Sequence, residues 1–298
     1  MIRRNSPARA RFLRHRLAVA GMIGLILMAT LVLLAPLVEW LLGIDAESID
    51  LFARFAAPSM AHPLGTDELG RDLLARLLRG GQVSLMVGLT AALAAAIIGT
   101  TLGLLAGVRG GWADALLMRL TDGVISLPLL PLLIVLAAVD PAKVGFDWAT
   151  SEQASLYRII LIVALVGWTT VARLVRGAAL SLREREFVLA ARAQGAGQLR
   201  IVLRHILPNL LSPVIVATTL SVGNVILLES VLSFLGLGIQ PPVPSWGNML
   251  TNAQELVWES PALALWPGAL IFVTVIAFNF LGDGLQDALD PRATERGH

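Results

Sequence analysis

The sequence predicts an all-α membrane protein with six transmembrane helices, and three observations carry that reading. Of the 298 residues, 56% are hydrophobic and only 15% charged, with a mean hydropathy of +0.76. Soluble domains run nearer 45–50% apolar and about 25% charged, and a core in a chain this size cannot absorb the surplus, so lipid is the solvent for much of the surface. Six apolar runs recur, at 17–40, 83–108, 116–139, 157–180, 210–236 and 263–285. Each is close to the roughly 20 residues that a bilayer core of about 30 Å demands. Finally, the basic residues, all arginine except Lys143, crowd alternate connections between the runs.

In chain order, residues 1–16 hold Arg3, Arg4, Arg9, Arg11, Arg14 and Arg16 and no acid. The run 17–40 is longer than the apolar core of a secretory signal, and Pro36, Val38 and Glu39 offer no small-residue cleavage site. It reads as an uncleaved first span; a twin-arginine export signal at Arg3–Arg4 is the rival. Residues 41–82 are polar, and their second half, HPLGTDELGRDLLARLLRGG, predicts an amphipathic helix. Thr66 or Asp67 caps it, Leu69, Leu73, Leu74, Leu77 and Leu78 form its apolar face, and Gly80–Gly81 ends it. Such a helix lies in the interface plane or packs on its neighbours.

The run 83–108 carries Ala91, Ala92, Ala95, Gly99, Gly103 and Gly107, small residues that allow close helix approach, so it belongs inside the bundle. Pro128 and Pro131 predict a kink in 116–139. Arginine bias orients the whole. The N-terminus, the connection at Arg109, the segment 183–209 and the tail with Arg292 and Arg296 share the cytoplasmic side, so both termini are cytoplasmic. Residues 41–82, 140–153 and 239–262, where acids balance or exceed bases, face outward.

Several chemistries are excluded. There is no cysteine, His15, His62, His205 and His298 make no ligand spacing, and no Walker-type glycine loop, HExxH or GxSxG occurs. The chain is therefore not expected to be an enzyme, and no cofactor or metal is expected on it. Nucleic acid is not an expected partner, because the arginines sit beside apolar spans and not on one soluble face; the lipid bilayer is.

Polar groups within spans are expensive in lipid and so are functional candidates. Asn224, Glu229 and Asn279 are the pathway or gate candidates, with a structural role at the outer gate equally open for Glu229. Arg119 and Asp122, three apart, are placed to pair on one helix face, and Asn279 and Asp283 lie four apart; interface anchoring or helix pairing is the leading reading for Arg119, Asp122 and Asp283.

The segment 183–209, REREFVLAARAQGAGQLRIVLRHILPN, is patterned as a helix between two spans. From Glu186, the residues Phe187, Ala190, Ala191 and Gln194 share one side, with alanines leaving room for another protein's backbone and Phe187 offering an anchor. Gly195 and Gly197 permit a reversal, and Pro208 suits the first turn of the fifth span. The alternative is a solvated basic loop.

In this segment Ala190, Ala191, Gly195 and Leu207–Pro208 resemble the coupling-loop signature of ABC importer permeases, at the expected spacing. Leu189 stands where the signature has glutamate and His205 where it has isoleucine; Glu186, one turn earlier, is the candidate substitute. The stretches HPLGTDELGRDLLARLLRGGQVSL, SFLGLGIQPPVPSWGNML and FNFLGDGLQDALDP resemble the C-type subunit of the dipeptide/oligopeptide/nickel importer family, so the likeness spans about 60–291.

This resemblance implies a type I ABC importer permease fold with a cytoplasmic coupling helix, in a bacterial inner (plasma) membrane. The implied organisation is a basic cytoplasmic N-terminus 1–16, a first span 17–40, an extracytoplasmic segment 41–82, a five-helix permease core 83–290 including the coupling loop 183–208, and a cytoplasmic tail 291–298. The implied partners are a B-type permease forming a heterodimer, two ATP-binding subunits that use ATP and Mg, and an extracytoplasmic substrate-binding protein. The residues implied to meet the ATPase are Glu186, Phe187, Ala190, Ala191, Gly195, Leu207 and Pro208. The implied cargo is di- or oligopeptide, with nickel chelates, glutathione or modified peptides as alternatives. A gradient-driven secondary carrier is the distant alternative; it would be favoured by midplane acids and an inverted repeat, and neither is evident.

Overall fold

A computed structural model describes residues 7–139, 154–251 and 253–289, and their regular structure is helical. The elements are α1 (Pro7–Arg14), α2 (Arg16–Leu33), α3 (Ala35–Leu42), α4 (Leu73–Arg109), α5 (Gly111–Ser126), α6 (Leu129–Ala138), α7 (Ala154–Arg183), α8 (Glu186–Ala193), α9 (Gln198–Ile201), α10 (Leu207–Phe234), α11 (Ala253–Leu256) and α12 (Ala262–Leu289). Five helical runs are long and apolar enough to cross a membrane, and the bent pair α5–α6 makes a sixth. The Arg3–Arg4 pair, the connection 140–153 and the tail 291–298 lie outside the described residues.

The small residues of α4 do what their spacing predicts. A Cβ at Gly99 would stand 2.6 Å from the Trp168 carbonyl oxygen, and one at Gly103 2.5 Å from that of Ala172. The backbones of α4 and α7 therefore touch along two turns, closer than any larger residue allows. Leu73, Val87, Ile159, Ile226 and Trp246 share the main core, in which α10 packs between α4 and α12.

Several local expectations are revised. Gly80–Gly81 does not end a helix: α4 runs unbroken for 37 residues through both glycines. They face the connection after α10, where a Cβ on Gly80 would meet Ser245 at 3.2 Å and one on Gly81 would meet the Trp246 ring at 2.8 Å. Their size is used for packing, which outweighs the helix-propensity penalty of about 1 kcal/mol each. The cap is Asp72, which accepts from the Ala75 N–H at 2.8 Å, and not Thr66 or Asp67. Asp67 instead folds the preceding turn, accepting from the Leu69 and Arg71 N–H groups at 2.9 Å.

The first span is divided at Leu34 into α2 and α3, with Pro36 in the first turn of α3, where its missing N–H costs nothing. Arg79 then ties α3 to α4 through two bonds to Glu39, at 2.8 and 2.5 Å. The third span does more than kink: α5 and α6 meet at 89° across Leu127–Pro128. Asp122 pairs across helices with Arg173 of α7 at 2.5 Å, and not with Arg119.

Candidate functional site: an outward helix and a cavity between spans

The segment 183–209 leaves α7 as a short helix held by one side chain. Val188 is fully buried against Val171, Val175, Ala179, Ile201, Ile206 and Leu210. With that residue turned inward, helical geometry turns Phe187, Ala190 and Gln194 outward, and all three are exposed while Ala191 is half-buried. Glu186 and Leu189 are exposed too. The Phe187 ring lies 6.4 Å from that of His205, tilted by 42°, so the expected anchor is braced within its own chain.

Gly195 closes α8 at φ +80°, its N–H donating to the Arg192 carbonyl at 2.9 Å. Only glycine adopts that conformation without strain. Gly197 has φ −65° and makes no such demand. The chain re-enters the bundle earlier than Pro208: α9 leads through a π-helical turn, Val202–Ile206, in which the Leu207 N–H donates to Val202, into α10. Leu207 is half-buried and Pro208 exposed in its first turn.

Just before α8, two ion pairs fasten α7 to α5. Arg176 donates twice to Asp114, at 2.5 and 2.6 Å, and Arg173 pairs with Asp122 one turn away.

The bend at Leu127–Pro128 borders an open cavity of about 300 Å³ lined by α4, α5, α6, α7 and α10. Ala92, Leu127 and Leu133 supply apolar wall, and Thr170, Ser221 and Asn224 supply polar atoms. Non-helical backbone at membrane depth is tolerated where it is buried in protein or lines such a space. Asn224 faces this cavity, as a pathway residue must. Glu229 lies on the buried side of the same helix, with no exposed surface. Asn279 is half-buried on α12 and is not among the cavity's lining residues.

Glu229 fastens the connection after α10. Its Oε1 accepts from Ser233 Oγ at 2.6 Å and from Ser245 Oγ at 3.0 Å. Beside it the Trp246 indole, fully buried, donates to the Leu77 carbonyl at 2.9 Å. This surrounding favours the structural of the two roles open to Glu229. A second cavity, of about 170 Å³, lies where this connection meets the turn before α4. Asp67, Arg71 and Arg76 line it, with Asp67 Oδ2 2.7 Å from Arg71 Nε and 3.3 Å from Arg76 Nε.

Sequence reasoning did not single out Val188, Thr170 or Trp246. Only Trp246 carried a signal, as a large aromatic in a proline-rich polar connection where solvent exposure would be wasteful.

Comparison with known proteins adds the following. Residues 99–295 match the model of the family described as the inner membrane component of binding-protein-dependent transport systems. Residues 6–58 match the N-terminal transmembrane domain of oligopeptide transport permease C. The oligopeptide transport system permease protein of Escherichia coli is 42% identical over 96% of this chain and 90% of its own length. The glutathione transport system permease protein of Pectobacterium atrosepticum is 41% identical over 95% of this chain and 89% of its own. A chain of the MetNI methionine ABC transporter, in an inward-facing conformation, shares the fold at a TM-score of 0.54 and 22% identity, covering 72% of this chain and 96% of that one.

Proposed function

The chain belongs to the family of inner membrane components of binding-protein-dependent transport systems, and from that premise we propose that it forms one half of the pore of an ATP-driven importer of di- and oligopeptides. The other half is a B-type permease; two ATP-binding subunits bind ATP and Mg, and an extracytoplasmic binding protein delivers cargo. Both termini and α8 are cytoplasmic, on the arginine-rich side.

One observation carries this reading. The outward face of α8, built from Glu186, Phe187, Ala190 and Ala191 and closed by Gly195, stands at the end of a span that α5 is fastened to. In the proposed cycle ATP closes the ATPase pair and displaces α8, with the turn at Leu207–Pro208 flexing at the re-entry point. The ion pairs of Arg173 and Arg176 pass the displacement to α5 and the cavity, a rigid-element transition between two pore states. Nothing in this requires bond chemistry from the chain itself.

Likeness to the oligopeptide permease supports a peptide cargo. Likeness to the glutathione permease supports a second reading, a single modified tripeptide. A pulldown of the tagged chain from its own membranes tests the assembly. An ATP-hydrolysing subunit and a second permease are expected in stoichiometric amounts; a chain isolated alone under conditions that keep it folded contradicts the reading.

A further inference from the structure

The cavity between the spans has a lining chemistry that speaks to what passes through it. No charged residue is among those that line it. Gly167 and Thr170 are presented from α7, and Ser221 and Asn224 from α10, each pair on one helix face at a spacing of three. The rest of the lining is Ala, Val, Leu and Ile, with Thr169. Thr170 and Asn224 are exposed, and neither side chain makes a hydrogen bond within the described residues. Thr169, which also lines the cavity, donates back to its own helix, as do Thr218, Thr219 and Ser221, so Ser221 offers the path its acceptor lone pairs.

A carboxamide in mid-span costs free energy in lipid unless it meets water or a polar partner. Asn224 therefore belongs to a wet or polar space, and the cavity is that space. An amide side chain both donates and accepts, which is the complement of a peptide group, and a threonine hydroxyl does the same on a smaller scale. Main-chain amides are what all peptides share, whatever their side chains.

Resting on the importer reading above, we propose that Thr170, Ser221 and Asn224 form a charge-free hydrogen-bonding wall of the translocation path that engages the main-chain amides of the cargo. Passage then does not depend on the charge of the cargo's side chains.

The absence of cysteine makes the chain its own blank for the test. Thr170→Cys and Asn224→Cys are placed singly, with Ile215→Cys on the opposite face of α10 as the control; Ile215 is 47% exposed and does not line the cavity. In the complex purified with its partners, each variant is treated with the cationic trimethylammonium-ethyl or the anionic sulfonatoethyl methanethiosulfonate. Modification is read as the mass gained by this chain.

Both cavity thiols are expected to react at least about tenfold faster than Ile215→Cys. After normalising to a free thiol in water, the cationic and anionic rates should agree within about threefold, since one fixed unit charge at that range in a low-dielectric site would separate them by more than about tenfold. Adding Asn224→Asp to Thr170→Cys should then favour the cationic reagent by about tenfold or more. Thiols no more reactive than the control would remove the path from this cavity. Reactive thiols with a strong charge bias would overturn the charge-free wall. Either failure in a complex that still co-purifies with an ATPase subunit sinks this proposal alone; a chain without that subunit sinks the importer reading beneath it.

Discussion

Val188 is fully buried while its neighbours Phe187 and Leu189 are each 44% exposed, so one side chain decides which face of α8 points outward. Removing its two methyl groups in Val188→Ala should cost roughly 1.5–3 kcal/mol of local stability. The outward face would be chemically intact but loosely held, and ATPase stimulation by the loaded binding protein should fall in proportion. Stimulation at the wild-type level would show that α8 is held some other way. Gly195 makes a sharper case. At φ +80° proline cannot follow the chain and alanine is strained by about 1–2 kcal/mol. Gly195→Pro should leave the chain inserted, with ATP hydrolysis no longer coupled to uptake. Glu229→Ala strands the hydroxyls of Ser233 and Ser245 in a buried site. Each stranded group costs about 1–3 kcal/mol, so a fall in thermal stability is expected, and Glu229→Gln, which keeps an acceptor, should recover most of it. Unaltered stability with altered cargo preference would return Glu229 to the pathway.

Among the elements, α4 shows what periodicity can and cannot deliver. The apolar run and its Gly–Ala stripe announced a close-packed interior helix, and Gly99 and Gly103 meet the α7 backbone as that stripe requires. The same residue type misled at Gly80–Gly81, because glycine marks both a helix end and a place where something large must come near. Only the position of Trp246, more than 160 residues away, distinguishes them. The third span likewise announced its bend through Pro128 but not the angle of 89°, which follows from packing of α6 against α7. Asp122 offered both a local partner in Arg119 and pairing between helices, and the second holds, through Arg173. The α4–α7 contact yields a direct prediction. Gly103→Leu forces a side chain into the Ala172 carbonyl and Val175, and should part the two helices. Loss of the folded chain from the membrane is the expected outcome, read by detergent-solubilised yield, whereas Gly177→Leu, with open space around its Cβ, should be tolerated. Exchanging Asp114 and Arg176 for each other should preserve their pairing and much of the activity, while either single change should not.

For the whole molecule, composition alone made lipid the solvent, and six apolar runs fixed the order of spans now seen in the fold. The segment proposed to dock stood out because its pattern is local: two alanines, a glycine and a proline within one short stretch. The cavity did not, since its wall is assembled from residues about 50 positions apart on α7 and α10 and no single run reveals which faces converge. We propose that this chain moves cargo only when an ATPase drives α8. Uptake of a labelled peptide into vesicles carrying this chain, its partner permease and the binding protein tests that claim most directly, with and without the ATP-binding subunits. Uptake should require both ATP and those subunits, and should vanish when Ala191→Trp blocks the outward face of α8. Uptake that persists without any ATPase would contradict the account.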